Sequence, residues 1–406
     1  MLWAALTLAI WLGLLCLPFQ PWRTRERLDS ARPRAGTDPY ARVGDLNADL
    51  SDVCAVVPAR DEAAHIGATL AALLRQGRDL DVIVIDDQSS DGTADIAGRA
   101  ANVRVVTGQS VPAGWTGKLW ALEQGCSLID KRDKCYTLLL DADIELQPGL
   151  IAALRDKMQR EQLQFASLMP ALRMTGFWEK LLLPAFVYFF KLLYPFRLAN
   201  DVRFRKLAAA AGGCILLETR ALDQIGGFVA LKDALIDDCT LARRVKAAGF
   251  NTWIGLTHSA RSLRPYSDLA AIWSMVARSA YTQLHYSLPM LAALTLIFAL
   301  AFWLPVYMAV FAPFGAGWLA VVALIAMAAS YVPVLRFYDL SKVWALALPL
   351  IATLFLFMTW TSALRYHRGE RARWKGRVYD RSEAGRAGHR LYPETITTAL
   401  PQKLSR

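Results

Sequence analysis

Residues 82–93 read VIVIDDQSSDGT, a short apolar run followed by two aspartates and a polar turn. Four consecutive β-branched residues without polar alternation are typical of a parallel strand that is buried on both faces. The polar residues that follow favour a helix start near Ser90. The stretch therefore predicts a strand–turn–helix unit, with Asp86 and Asp87 just beyond the end of the strand.

The same unit recurs on both sides of this stretch. Apolar runs at 53–57, 103–106 and 136–140 are predicted strands, and helical spacing of apolar residues separates them. Strands that alternate with helices indicate a mostly parallel sheet, whose ligands bind beyond the carboxyl ends of the strands. The residues that follow each strand are therefore the candidates for a functional site.

Acidic residues follow three of the four predicted strands. They lie in the stretches 58–62, 86–87 and 141–143, which read PARDE, DD and DAD. Clustered carboxylates repel one another, so such an edge normally holds a cation or a hydrogen-bonding ligand. Asp141 and Asp143 share one side of an extended chain and can hold Mg²⁺ or Mn²⁺. Each motif alone could also be a helix cap or a turn, and the prediction depends on their convergence.

Two further motifs lie downstream. Gly212 and Gly213 suit the close approach of backbone to a ligand, or alternatively form a plain turn. Asp237 and Asp238 open an apparent helix, whose dipole favours carboxylates at that end. They are interpreted either as a helix cap or as a pair in which Asp238 is a general base.

The apolar composition indicates a membrane protein, because 55% of the 406 residues are hydrophobic. Residues 1–20 are interpreted as a retained N-terminal membrane anchor. Residues 21–49 form a basic juxtamembrane linker, which by its charge stays on the cytosolic side. Residues 50–285 are then a cytosolic domain.

The C-terminal part presents a conflict. Residues 286–364 are predicted to hold two or three membrane segments, and 365–406 form a basic tail. Three crossings would place this tail outside, whereas its charge places it inside. One segment is therefore expected to be re-entrant or interfacial, and the stretch with Pro289 and Pro305 is the first candidate.

Charge and cysteine content exclude other classes. The net charge of +11 lies largely beside apolar segments, where Lys and Arg meet anionic headgroups. The sequence has no basic stripe with interleaved aromatics, so no nucleic acid is expected as a partner. The six cysteines form no C-x-x-C pair, and we interpret them as reduced core residues.

In the order of these motifs, residues 50–285 resemble a family-2 glycosyltransferase with a GT-A fold. The resemblance implies an α/β domain with a Rossmann-like mixed, mostly parallel sheet. It places the metal–diphosphate site at Asp141 and Asp143, and the base at Asp238 beside Asp237. It assigns the nucleotide subsite to Pro58, Ala59, Arg60, Glu62, Asp86 and Asp87.

Two further motifs, WTGK at 115–118 and WKGRVY at 374–379, narrow the resemblance to the hopene-associated glycosyltransferases. That group is similar to lipid glycosyltransferases such as ceramide glucosyltransferase, and it adds Lys118 to the nucleotide-sugar residues. Only Arg278 matches the Q-x-x-R-W motif of processive synthases, which favours a single transfer over polymer synthesis. Arg278 is interpreted either as a diphosphate contact or as an ordinary interfacial arginine.

Together these features predict a membrane-bound, inverting, metal-dependent glycosyltransferase on the cytosolic face, of a bacterial inner membrane by this resemblance. It would move a sugar from a nucleoside-diphosphate sugar, with UDP favoured, to a hopanoid or other polyisoprenoid lipid. The aromatic segment 176–196 is predicted to be an interfacial helix, with a buried core helix or a further span as alternatives. A polysaccharide synthase and a non-catalytic nucleotide-binding membrane scaffold remain the alternative functions.

Overall fold

The computed structural model describes residues 1–30, 47–232, 234, 237–374 and 377–380. Part of the predicted linker and most of the predicted tail fall outside these ranges, as do two residues of the 374–379 motif. Within the described ranges the chain forms an eight-stranded sheet with helices on both faces, a group of apolar helices and a two-stranded hairpin.

Of the strands in the described ranges, all except those of the hairpin belong to the large sheet. Its strands are β1 (Val53–Ala59), β2 (Asp81–Asp86), β3 (Val103–Thr107), β4 (Tyr136–Leu140), β5 (Ile144–Leu146), β6 (Phe165–Ala171), β7 (Cys214–Glu218) and β8 (Thr252–Ser262). The hairpin strands are β9 (Glu370–Trp374) and β10 (Arg377–Asp380).

The helices fall into two groups. Those between the strands of the large sheet are α2 (Ile66–Leu73), α3 (Thr93–Ala97), α4 (Gly117–Ser127), α5 (Leu150–Glu161), α6 (Phe177–Leu193), α7 (Phe196–Ala199), α8 (Thr219–Gln224) and α9 (Asp237–Ala247). Those outside it are α1 (Leu2–Cys16), α10 (Leu269–Ala277), α11 (Ala280–Gln283), α12 (Leu288–Phe298), α13 (Leu304–Phe311), α14 (Phe314–Phe337) and α15 (Leu348–His367).

The sheet has the order β3-β2-β1-β4-β7-β6-β8-β5, and its first four strands are parallel. Ala59 pairs with Asp86, so β1 and β2 end at the same level. β7 runs antiparallel to β4, with Cys214 opposite Leu140. The start of β7 therefore meets the end of β4, and one edge of the sheet collects residues from four chain segments. The predicted mostly parallel mixed sheet is confirmed.

Alternate residues of β1 enter two different cores. Val53 and Val57 pack in the cluster that contains α2 and α5, whereas Val56 packs in the cluster with α4 and α9. A β-carbon added at Gly125 of α4 would lie 2.4 Å from Val56 Cγ1, so the helix needs glycine there to lie on the strand. Burial on both faces explains why the strands read as continuous apolar runs.

Three apolar helices are long enough to cross a membrane. They are Leu288–Phe311, which joins α12 and α13 through a π-helical turn, Phe314–Phe337, and Lys342–His367, which begins with a 3₁₀ turn before α15. α1 has 15 residues, a length of about 22 Å. It packs along α14, with the Met1 side chain beside Gly315.

Helix α6 joins the sheet domain to the apolar helices. Glu179 near its start is buried, and its carboxylate accepts hydrogen bonds from the Gly176 N–H at 2.8 Å and the Tyr266 N–H at 2.9 Å. Farther along, Tyr188 bonds to Ser330 of α14 at 2.7 Å. The predicted segment 176–196 is thus a helix that packs against other apolar helices, and its interfacial position stays a prediction.

Candidate active site

The loops after β1 and β2 are bonded to each other. The Asp87 N–H donates to the Ala59 carbonyl at 2.8 Å, and Arg60 Nη1 donates to the Asp87 carbonyl at 2.6 Å. Asp86 is 5% exposed, and its Oδ1 has no hydrogen-bond partner in the described part of the chain. A buried carboxylate oxygen without a donor is costly, so it suits a ligand N–H or O–H at this position.

Glu62 lies at a different part of the same edge of the sheet. Its carboxylate contacts the guanidinium of Arg264, whose Nε also donates to Asp143 Oδ2 at 3.0 Å. The structure therefore places Glu62 with the second aspartate of the D-x-D motif, joined through Arg264. Sequence analysis missed Arg264, because 252–262 was not recognised as a strand, and Arg264 lies just beyond its end.

Lys118 stands among the remaining aspartates. It is the second residue of α4, and its Nζ lies 2.6 Å from Asp141 Oδ1 and 3.9 Å from Asp237 Oδ2. Burial raises the pKa of Asp141, and the charge of Lys118 acts in the opposite direction. One ammonium group thus joins the end of β4 to the start of α9, about 100 residues apart in sequence.

Asp238 is held by backbone donors. The Gly212 N–H donates to its Oδ2 at 2.8 Å, and the Cys239 N–H donates to its Oδ1 at 2.7 Å. Burial, followed by the neighbouring charge of Asp237, raises the pKa of Asp238 to about 6. A carboxylate fixed in orientation and with a raised pKa is suited to accept a proton near neutral pH.

The two glycines have different roles. A β-carbon on Gly212 would lie 3.2 Å from Lys118 Nζ and 3.3 Å from Asp238 Oδ2, so glycine leaves room between these groups. Gly213 instead packs against Pro170, which a β-carbon would approach to 2.9 Å. Only Gly212 therefore opens onto the candidate site.

Part of this edge forms a narrow cleft that is open to solvent. Its lining includes Pro58, Lys118, Asp141, Gly212 and the pair at 237–238. Arg278, which follows α10, is exposed and does not line this cleft. Asp141, Asp237 and Asp238 thus share this cleft, whereas Asp86, Asp87 and Asp143 are not part of its lining. The exposed position of Arg278 is compatible with both of its interpretations.

The carboxylate oxygens of Asp141 and Asp143 fit a cation that binds together with a phosphate ligand. No group of three or more His, Cys, Asp or Glu side chains in the described ranges could hold a metal ion alone. Asp141 and Asp143 are hard oxygen ligands, and Mg²⁺ is often held by one or two carboxylates together with substrate phosphates. In this structure Lys118 and Arg264 balance the charge of these two carboxylates.

Known proteins resemble this chain in part of its sequence and in its fold. A 4,4'-diaponeurosporenoate glycosyltransferase from Staphylococcus haemolyticus (strain JCSC1435) is 34% identical over 100 residues, which are 23% of this chain and 24% of that protein. The match thus spans about a quarter of that relative. A mannosyltransferase from Pyrobaculum calidifontis, solved in complex with GDP-Man and Mn²⁺, superposes with a TM-score of 0.52 at 18% identity. The superposition covers 90% of this chain and 97% of the mannosyltransferase, and the two share the GT-A fold.

A family model described as "Glycosyltransferase like family 2" matches residues 51–282, more than half of the chain. This range contains the whole sheet and all the aspartates of the candidate site. The protein therefore belongs to the family-2 glycosyltransferases.

Proposed function

We propose that the chain is an inverting, membrane-bound enzyme that transfers a sugar from a nucleoside-diphosphate sugar to a lipid hydroxyl. The observation that carries this proposal is the position of Asp238. Its carboxylate is oriented by the Gly212 N–H in the cleft that Lys118 and Asp141 line. A base beside a phosphate-compatible cluster is what transfer from a diphosphate leaving group requires.

The donor would lie along the edge of the sheet. The nucleoside would contact the unpartnered Asp86 Oδ1 and the bonded loops after β1 and β2. Lys118 and Arg264 are positioned to exchange their carboxylate partners for the oxygens of a diphosphate. UDP is the proposed nucleotide, on the sequence resemblance, although the mannosyltransferase of the same fold was solved with GDP-Man.

In the proposed reaction, Asp238 takes the proton of the acceptor hydroxyl as its oxygen bonds to the anomeric carbon. The bond from that carbon to the diphosphate breaks, and the electron pair leaves with the diphosphate. A single displacement inverts the anomeric centre. A divalent cation held by Asp141 and Asp143 would offset the charge that develops on the leaving group. Lys118 and Arg264 add positive charge from the protein itself.

The acceptor is proposed to be a lipid because apolar helices pack directly on the domain that carries the cleft. Three of them are long enough to cross a membrane. A hopanoid or other polyisoprenoid is the proposed class, from the sequence resemblance. The proposed location is the bacterial inner membrane, with the catalytic domain in the cytosol.

Incubating membranes that contain the full chain with labelled nucleotide sugars tests this proposal. We expect labelled glycolipid in the extract, identified by mass spectrometry, and about 10²-fold less or lower still from membranes with Asp238→Asn. A labelled polymer would instead indicate a polysaccharide synthase. The absence of turnover with every sugar nucleotide and lipid extract would support a non-catalytic nucleotide-binding scaffold.

Removal of divalent cations by chelation tests whether the proposed reaction requires a metal ion. We expect excess EDTA to reduce glycolipid formation to background, and added Mg²⁺ or Mn²⁺ to restore it, because two carboxylates and the diphosphate need a balancing charge. Initial rates across a cation titration measure the effect. Full activity in EDTA after dialysis would contradict a metal requirement and assign the charge balance to Lys118 and Arg264.

The pH dependence of the reaction rate should follow the ionisation of the Asp238 carboxyl group. The base acts only when deprotonated, and its pKa in the ligand-free protein is raised to about 6, so kcat/KM should fall about tenfold per pH unit below that value. An ordinary aspartate, with a pKa of about 4, would keep the rate constant down to roughly pH 4. Single-turnover rates with saturating donor separate this loss from weaker binding. A rate that is unchanged between pH 7 and 5 would contradict the assignment.

A further inference from the structure

A short basic loop follows α7 and exposes apolar side chains. Residues 201–206 read DVRFRK, and all three of their cations are exposed. Val202 is 52% exposed and Phe204 43%. In the described part of 50–285, six large apolar side chains are exposed, and three of them lie between 193 and 204, namely Leu193, Val202 and Phe204. Apolar exposure on the sheet domain is therefore concentrated at this loop and at the end of α6 that precedes it.

The loop is closed at both ends and bonded internally. Lys246 of α9 is 2% exposed, and its Nζ donates to the Ala199 carbonyl at 2.5 Å and to the Leu207 carbonyl at 2.8 Å, one on each side of the loop. Inside it, the Phe204 N–H donates to the Asp201 carbonyl at 3.1 Å, and the Leu207 N–H donates to the Phe204 carbonyl at 2.9 Å. The exposed side chains thus stand on two consecutive turns that one buried ammonium group closes.

The loop begins beside the ends of two apolar helices. α1 and α14 pack along each other in the same direction, because Met1 lies beside Gly315 at their starts. At their other ends, Arg197 of α7 donates to the Pro18 carbonyl at 2.8 Å, and Phe337 packs in one cluster with two residues of α7. α7 therefore lies at the point where α1 and α14 both end.

The loop cannot extend far from this point. Ala199 is the last residue of α7, and its carbonyl shares the Lys246 ammonium with the carbonyl of Leu207. Phe204 is three residues from Leu207 and therefore within about 11 Å of it. The 24 residues of α14 are long enough to cross a membrane, and a crossing helix ends at the bilayer surface. The loop is then within reach of the lipid headgroups.

The composition of the loop suits the surface of a bilayer. Three cations and one carboxylate give residues 201–206 a net charge of +2, and the carboxylate, Asp201, pairs with Arg203 at 2.6 Å. Lys and Arg beside a bilayer are attracted to anionic headgroups, and apolar side chains enter the boundary between headgroups and acyl chains. Contact with lipid would also remove Val202 and Phe204 from water, which is favourable for apolar surface.

We propose that the loop 201–206 docks the sheet domain onto the membrane. Val202 and Phe204 enter the headgroup region, and the three cations of the loop bind anionic lipid headgroups. Lys246, which closes the loop, lies eight residues after Asp238 in α9, a distance of about 12 Å along the helix. Docking of the loop thereby sets the height of the candidate base above the lipid. The inference rests on the proposed membrane location but not on the transfer reaction.

Quenching by labelled lipids tests this contact. A fluorescent label is attached to the single cysteine of Phe204→Cys in the full chain, with the exposed native thiols Cys16 and Cys135 replaced by Ser. The vesicles contain equal parts of phosphatidylcholine and phosphatidylglycerol, and lipids with a nitroxide close to the headgroup as quenchers. We expect severalfold stronger quenching than for a label at Leu74→Cys. Leu74 is the matched position, because it is an exposed apolar residue that follows α2, on the face of the sheet opposite α9.

Removal of the charges tests the contact with anionic headgroups. The triple variant Arg203→Gln, Arg205→Gln and Lys206→Gln should lower the quenching of the 204 label by more than about half, because each cation near an anionic surface contributes roughly a fivefold preference. Vesicles of phosphatidylcholine alone should have the same effect on the unsubstituted loop. The melting temperature of each variant in detergent must match that of the original chain.

The matched control removes three exposed cations from another surface of the same domain. Lys131→Gln, Arg132→Gln and Arg220→Gln change residues that lie before β4 and after β7, at the ends of these strands away from the candidate site. This variant should leave the quenching of the 204 label unchanged.

Three results would overturn the proposal. The first is equal quenching at positions 204 and 74, and the second is quenching at 204 that does not depend on the charges of the loop. The third is a disulfide between Phe204→Cys chains in vesicles that hold few copies, which would assign the loop to contact with a second copy. Release of the protein by alkaline carbonate would instead refute the membrane location on which the inference rests.

Discussion

Asp238→Asn should lower kcat by about 10²–10⁴-fold while the Kd for the nucleoside diphosphate changes by less than roughly threefold. The amide cannot take a proton from the acceptor, yet it keeps the size of the carboxylate and can still accept the Gly212 N–H bond. Donor binding is proposed to depend on Lys118 and the β1 and β2 loops, so it should survive. Rapid-quench rates and calorimetric titration measure the two quantities separately.

The matched control is Asp223→Asn, the same chemical change at an exposed aspartate that pairs with Lys131 at 2.6 Å. It should leave both quantities unchanged. The residual rate of Asp238→Asn should also no longer fall as the pH is lowered. Turnover within tenfold of the original enzyme would remove Asp238 from the role of base, and a parallel loss of nucleotide binding would indicate a structural role.

Lys118→Met should lower kcat/KM by about 10²-fold or more. The substitution keeps the apolar stem but removes the ammonium that lies 2.6 Å from Asp141 and 3.9 Å from Asp237. The carboxylates then repel each other and the incoming diphosphate, so weaker donor binding should account for much of the loss. Calorimetric titration with nucleoside diphosphate, with and without Mn²⁺, measures this directly.

Lys131→Met is the matched control, because its ammonium contacts a single exposed aspartate away from the cleft. It should bind and turn over like the original chain. Thermal unfolding of both variants must also be measured in detergent, since a misfolded Lys118→Met would lose activity for another reason. A folded Lys118→Met with kcat/KM within threefold of the original would show that the ammonium only balances charge in the donor-free state.

Sequence analysis predicted the parallel half of the sheet well. The runs at 53–57, 82–85, 103–106 and 136–140 all lie within observed strands. β1, β2 and β4 are buried almost throughout and carry this information locally, because nearly every position must be apolar, whereas the edge strand β3 is only partly buried. It did not assign β6, β7 or β8 as strands, although Gly212 and Gly213, just before β7, were recognised by composition.

Sequence analysis could not predict which side chains pair with each other in the candidate site. Nothing in the pattern indicated that Arg264 would join Glu62 to Asp143, or that Lys118 would lie beside Asp141. The Glu62–Arg264 pair spans 202 residues of sequence, and it exists only because β8 ends beside β5 in the sheet. Side-chain pairing of this kind depends on strand order, which no local window of sequence contains.

The apolar helices show the same division. Composition and length determined that three C-terminal segments are suited to a bilayer, because the transfer of apolar residues from water depends on residue type alone. Which segments each of them packs against was decided only by the tertiary structure. The contacts of Trp344 with Phe177 and of Trp303 with Thr353 join distant parts of the chain, and no local window of sequence contains such pairs.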